Sequence, residues 1–320
     1  MNKIVKILIL ILLPIVAKGQ YKTSVTVTDF DNAYLKSKIE TNLSALISEF
    51  NYACATNRSL NLGGVNIDEN AKKSVEMLWR NSPFRCDETE IVESAARLYS
   101  CNEYEIRNIP FVFTKFADSD NFREVAVTFD YSGKIKSFHI TLPQNVYEPI
   151  FEGNNEVTDM RRRQIVLDYV EQFRTAYDTK DIDFMEKVFS DDALIIVGRV
   201  VKTVKKDYIS TAKIEYLKKS KQQYLNDLRR VFQYNKRIHV DFQDVKVLRH
   251  PAKDGWYGVQ LKQNYSSDRY NDEGYLFLLW DFTAGDDRPQ IHVRVWQPDK
   301  IEGRPINEDE IFSMEDVNIY

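Results

Sequence analysis

Two residues in the last third of the chain have types suited to proton transfer. Asp281 closes the run "GYLFLLWDFT", and His292 lies in "QIHVRVWQP". Read as strands with a period of two, Asp281 shares a face with Tyr275, Phe277 and Leu279, while His292 shares one with Arg294 and Trp296. A carboxylate on a mostly apolar strand has a raised pKa when buried, and beside an imidazole it can serve as a general base. With Tyr265, these residues define a candidate ligand cavity: Tyr265, Asp281, His292, Arg294 and Trp296. A structural role fits the same residues. Asp281 can cap the turn into "AGDDRP", and His292 and Arg294 can face water or pair with acids on the next strand.

Other chemistry lacks its pattern. "NLGGVN" has two glycines but no following lysine, so it is not a phosphate loop. The four histidines include no close pair and no His-Glu-x-x-His, so neither a metal nor a cofactor is expected. No serine occupies a nucleophile elbow. Cys54, Cys86 and Cys101 lack zinc spacing. An oxidising compartment would permit one disulfide among them, and burial as small apolar side chains is the other reading.

The N-terminus bears on compartment. Lys3 and Lys6 precede the apolar run Ile7–Ala17, and Ala17 and Gly19 have the spacing of a signal-peptidase site. The expectation is a signal peptide over residues 1–19, cleavage near Gly19–Gln20, and a secreted or periplasmic chain. No later apolar run is long enough to span a bilayer. The 320 residues are 43% hydrophobic and 29% charged, with a net charge of -4, which suits a folded chain and argues against a nucleic-acid partner.

The elements that would position such residues come in two similar sets. After the strand "TSVTVTDF", residues 32–55 carry Leu35, Ile39, Leu43, Leu46, Ile47 and Phe50 on one helical face. Residues 69–79 and 88–99 read as shorter helices, the second from Ile91, Val92, Ala95 and Leu98. Three alternating strands follow, two of them joined by a turn at Gly133. The polar segment 151–160 separates residues 20–150 from 161–298. Beyond it, a helix runs from about Thr158 to Tyr177, with Thr158 or Asp159 as cap. "DTKD", a short helix, the strand "ALIIVGRVV", the helix "QQYLNDLRRVF" and four strands follow, then an acidic tail, 299–320. "ISEFNYACAT" matches "VEQFRTAYDT", and "ESAARLYS" matches "NDLRRVFQ", in the same order. In "RIHVDFQDVKVL", Ile238, Val240 and Phe242 are out of phase with Val245 and Val247, so a β-bulge is expected at Gln243–Asp244.

On the residues "VEQFRTAYDTKDIDFMEKVFSDDALII", residues 158–298 resemble the nuclear transport factor 2-like superfamily. The resemblance implies an α+β class with tandem cone-like domains, each with helices on a curved antiparallel sheet, the second copy clearer. It speaks for fold rather than function. One departure is the long segment between "ALIIVGRVV" and the third helix. From Arg199 to Arg237 there are twelve basic residues and three acidic ones. Lys205, Lys206, Lys218, Lys219, Lys221, Arg229 and Arg230 form a candidate docking surface for something acidic, or a solvated face.

The expected function is non-enzymatic binding or scaffolding in the cell envelope, the partner being a protein, peptide or polymer. A sheet-face dimer or pairing of the two halves within one chain would suit the exposed sheets. The alternative is a small-molecule enzyme of dehydratase or cyclase type using Asp281 and His292. The expected export is checked by intact mass on chain purified from its native host. The mass should correspond to a start at or near Gln20, and retention of residues 1–19 would contradict it.

Overall fold

The computed structural model describes residues 21–98, 103–115, 121–142, 150, 157–204, 210–286 and 288–317. The signal peptide and its cleavage site, Cys101, Lys205, Lys206 and most of the segment 151–160 lie outside the described residues.

The first half builds one core between helices and a sheet. Strand β1 (Ser24–Thr28) precedes helices α1 (Ala33–Ala55) and α2 (Glu69–Asn81). Their starts are set by side-chain caps: Asn32 accepts from the Leu35 N–H and Asp68 from the Asn70 N–H. Strands β2 (Phe84–Arg85), β3 (Glu90–Leu98), β4 (Glu103–Phe113), β5 (Phe122–Phe129) and β6 (Ile135–Ile140) complete it, in the order β1-β3-β4-β5-β6 with β2 on β4. Phe50 on α1 is fully buried, with its ring centroid 4.7 Å from Phe84, 5.7 Å from Phe111 and 5.6 Å from Phe138. Burial of one such side chain contributes about 1.5–3 kcal/mol.

The expected helix over 88–99 is strand β3. Its three- and four-residue apolar spacing fits a helix, but β1 and β4 offer hydrogen-bond ladders on both sides. Most of the strand faces water, with Val92 55% exposed, so it carries no period-two signal. The match of "ESAARLYS" to a helix of the second half therefore fails.

The second half follows the expected order. Helices α3 (Val157–Thr179) and α4 (Ile182–Val188) lead into β7 (Phe189–Val204) and β8 (Ser210–Ser220). Helix α5 (Lys221–Tyr234) opens with a Ser220–Gln223 capping box. Strands β9 (Ile238–Arg249), β10 (Trp256–Ser267), β11 (Asn271–Asp281) and β12 (Gln290–Pro298) form an antiparallel meander, and β7 closes on β12 in parallel. The sheet order is β8-β7-β12-β11-β10-β9. The segment that looked like an insertion is largely β8, paired along β7 from Leu194–Ser220 to Val204–Ser210. Asp159 lies inside the first turn of α3 rather than at its cap, and it accepts from the Tyr257 hydroxyl and Arg163 Nε.

The expected bulge in β9 is present, one residue further on: Asp244 and Val245 stand opposite Leu261, and Asp244 has φ 51°. Ile238, Val240, Phe242, Val245 and Val247 are all buried as a result. Strand β4 has the same device, with Arg107 and Asn108 opposite Ala126 and Asn108 at φ 59°. Asn and Asp tolerate this left-handed conformation better than most residues.

The tail packs on the outer face of the second sheet. Met314 and Phe312 meet Phe277, Leu279 and Val295, and Gln297 both donates to Glu310 O and accepts from the Phe312 N–H. A Cβ on Gly258 would lie 2.6 Å from the terminal methyl of Met314, so a side chain here would displace the methionine tip from its seat on the sheet.

The halves meet through α3, which covers the free edges of both sheets. Toward β6, Glu171 accepts from the Leu142 N–H at 2.6 Å, Thr175 from the Ile140 N–H, and Arg174 donates to Thr141 O at 2.9 Å. Toward β9, Asp178 accepts from the Val240 N–H at 2.8 Å, and Arg163 donates to Val247 O. Replacing Glu171 by alanine would orphan the Leu142 N–H and strip Arg107 of its bidentate partner. The expected loss is about 3–5 kcal/mol. Urea unfolding followed by tryptophan fluorescence and circular dichroism should show one transition shifted for the whole chain. Two separate transitions, or a loss below about 1 kcal/mol, would contradict the shared helix.

Candidate functional site

Asp281 and His292 are neighbours, but on the outside of the cone. Along β11, Leu276, Leu278 and Trp280 enter the main core, whereas Phe277 and Leu279 enter the patch under the tail. Asp281 continues the second set. On β12, Trp280 pairs with Ile291 and Leu279 with Val293, so His292 is an extra residue in the ladder. This bulge corrects the expected phase. It turns His292 out while Arg294 and Trp296 remain on the inner face. His292 Nε2 lies 3.5 Å from Asp281 Oδ2, and its Nδ1 lies 3.5 Å from Asp192 Oδ1. Its ring centroid is 5.1 Å from that of Trp256. Asp281 also accepts from the Thr283 N–H at 2.7 Å and hydroxyl at 2.9 Å, the turn cap that its place at the strand's end suggested.

The inner face gathers Tyr265, Arg294 and Trp296 with residues that the alternation alone does not single out. Arg294 is 5% exposed, with its guanidinium carbon 5.1 Å from the Tyr224 ring centroid. The Tyr177 and Tyr224 hydroxyls share a short hydrogen bond. Burial opposes the Arg294 charge, but Tyr224, Tyr177 and Asp272 more than offset it, and the pKa is raised. Burial likewise raises Asp272, the cross-strand neighbour of Tyr265. Arg294 Nε and Trp296 Nε1 are buried with no hydrogen-bond partner among the described residues. Phe173, Tyr177, Tyr224, Phe242 and Trp280 fill the interior around them.

An open cleft lies at the seam between the halves. A cleft of about 360 Å³ is lined by Leu78, Phe113 and Lys115 from the first half and by Asp178, Arg237, Ile238 and His239 from the second. Asp178, at the end of α3, accepts the Val240 N–H with one oxygen and lies 3.1 Å from His239 Nδ1 with the other. Burial works against a charged His239, yet Asp178 outweighs it and raises the pKa. Sequence reasoning missed this pair. Asp178 reads as part of the polar break "DTKD", and His239 as a lone histidine on the solvent side of a strand. The available signal was a carboxylate in a last helical turn, where a macrodipole offers it no support.

Deeper in the seam lies a cluster rich in acids. Arg107 on β4 donates to Glu171 at 2.8 and 2.9 Å and to Glu105 at 2.9 Å, and reaches Asp168 at 3.3 Å. His139 Nε2 is 3.4 Å from Glu171 Oε2. Burial, then Glu105, pushes the Asp168 carboxyl well above its usual value, with Arg107 working against them. Among the described residues, no group of three or more His, Cys, Asp or Glu side chains has the geometry to hold a metal ion. Cys54 and Cys86 are free thiols.

Four residues of the candidate basic surface are engaged in ion pairs, two of them with acids from outside the segment. Lys219 pairs with Asp227 at 2.7 Å, Lys221 with Asp191 at 2.9 Å, Arg229 with Glu186 at 3.2 Å, and Arg230 with Asp227 at 3.8 Å. Lys218 and Lys219 lie on β8, an edge strand where lysine discourages pairing with another chain.

The second half packs its helices on one face of a six-stranded sheet, the arrangement that the resemblance in the sequence implies, and the chain as a whole joins two helix-on-sheet α+β units. No family model and no curated protein matches the chain. Solved structures similar to it include Bd1075 of Bdellovibrio bacteriovorus, at 15% identity and TM-score 0.34, covering 48% of this chain and 44% of that one. This chain thus spans less than half of that protein's length. An NTF2-like protein of unknown function from Pseudomonas putida KT2440 has 10% identity and TM-score 0.34, over 45% of this chain and 93% of that one. An NTF2-like protein of unknown function in nutrient uptake from Rhodospirillum rubrum ATCC 11170 has 16% identity and TM-score 0.31, over 42% and 97%.

The raised Asp168 carboxyl has a signed consequence. Its contribution to stability is present below the ordinary value of 3.8 and is lost as pH rises through the raised one. Asp168→Asn, neutral at every pH, should therefore gain on the wild type as pH increases from 4 toward 8. Thermal melts across that range check this, and a Tm difference that does not change with pH would contradict it.

Proposed function

We propose that this chain is an exported, non-enzymatic binding or scaffolding module of the cell envelope. The supporting observation is that the acid–base pair stands apart from the interior. Asp281 and His292 stand on the outer face and serve a turn. The cone interior holds a fixed positive charge, Arg294, among tyrosines and packed aromatic rings. An acid–base site also needs an enclosed position for its substrate, and neither Asp281 nor His292 lines the cone interior or the seam cleft. The signal-like N-terminus supports export, and the seam cleft offers a place where a ligand or peptide could lodge.

The second reading, a dehydratase- or cyclase-type enzyme, draws on the 3.5 Å approach of His292 to Asp281. The two readings diverge in one experiment. The mature chain and an Asp281→Asn/His292→Gln variant are used to capture components of an envelope extract. Binding by the rest of the molecule predicts that both capture the same component in equal yield. Loss of capture in the variant, or substrate turnover by the wild type that the variant lacks, would favour the enzyme.

A further inference from the structure

The seam cleft has a chemical character of its own. Its floor is apolar, formed by Leu78, Phe113 and Ile238, which are 3%, 1% and 1% exposed. The two carboxylates that line it are already engaged. Asp178 serves the Val240 N–H and His239. Asp268 accepts from the Lys236 and Arg237 N–H groups with Oδ2, and its Oδ1 lies 3.6 Å from Arg237 Nε. Lys115 and Arg237 supply the opposite charge from the two sides. Among the described residues no carboxylate pairs with Lys115, whereas Arg237 is shared with Asp268 and, with its side chain 63% exposed, can reach a ligand as well. About 360 Å³ lies within the range of small-molecule sites, roughly 300–1,000 Å³, and such sites favour domain interfaces.

We propose that this cleft binds a small ligand bearing one carboxylate and an apolar tail. Lys115 and Arg237 hold the carboxylate, and the tail lies over Leu78, Phe113 and Ile238. A cationic ligand would meet Lys115, while Asp178 and Asp268 are already shared with His239 and Arg237. A neutral one would forgo charge-assisted hydrogen bonds, the stronger kind. Because the lining comes from both halves, an occupant also braces the seam and stabilises the folded chain by mass action. The proposal rests on the binding-module reading for its setting, not for its chemistry.

The test uses the full mature chain and three compounds of one shape: 3-phenylpropionate, 3-phenylpropan-1-ol and 3-phenylpropylamine. Calorimetry should show saturable one-to-one binding of the carboxylate, at least about tenfold tighter than the alcohol, with a rise in Tm. Lys115→Gln/Arg237→Gln alters residues at the rim and should retain the fold by circular dichroism while weakening the carboxylate at least about tenfold. Equal affinity for acid and alcohol, preference for the amine, binding unchanged in the double variant, or no saturable binding of the carboxylate would each overturn the proposal. Export is read separately by intact mass. An exported chain that ignores the carboxylate refutes the ligand class alone, and a chain that binds it but keeps residues 1–19 refutes the setting alone.

Discussion

Helix α3 must satisfy the unpaired edges of two sheets at once. Strands β6 and β9 each end their sheet, and an uncovered edge exposes N–H and C=O groups to any other strand. The helix cannot extend either ladder, because its own backbone groups are used internally. Its side chains do the work instead: Glu171, Thr175 and Arg174 on one edge, Asp178 and Arg163 on the other. Between Ile165 and Thr179 only Tyr169 and Gln172 are partly exposed. A buried N–H left without a partner costs about 1–3 kcal/mol, so polar residues here are needed even though they are out of water.

Burying those groups has electrostatic consequences. Charges taken from water need partners, and Arg107, Glu105, Asp168, Glu171 and His139 collect into one cluster across the seam. The acids outnumber the arginine, so Glu105 and Glu171 add to burial in raising the Asp168 pKa against Arg107. The same geometry leaves the Asp178–His239 pair at the margin of the seam, where the two halves diverge into a cleft. The candidate binding site is thus a by-product of how the edges are covered, not of the cone.

Much of the architecture is legible in the residues. Helices α1, α2, α3 and α5 show apolar stripes at helical spacing. The break of phase in "RIHVDFQDVKVL" reveals a bulge because five apolar residues must share one core. The failures have physical causes. Strand β3 is held by neighbours rather than by its own alternation, so its sequence imitates a helix. His292 falls in a bulge with no apolar set on both sides to expose it, so its face is misjudged, and Asp281 and His292 stand across the sheet from Arg294 and Trp296. The seam escapes because Asp168, Glu171, Arg174 and Asp178 recur at helical spacing, like a face turned to water. Their partners, Arg107, Leu142 and Val240, are remote in sequence. The charge count from Arg199 to Arg237 likewise leaves out partners remote in sequence, since Asp191 and Glu186 pair with Lys221 and Arg229 from outside the segment.

The account stands on α3 closing both edges as one cooperative unit. Native-state hydrogen exchange at the Leu142 and Val240 amides tests this most directly. Both are edge positions held only by carboxylates of one helix. The account predicts that both are strongly protected and open with the same free energy, that of unfolding the whole chain. Fast exchange at either amide, or two clearly different opening free energies, would show that the sheets are capped independently and that α3 does not unite them.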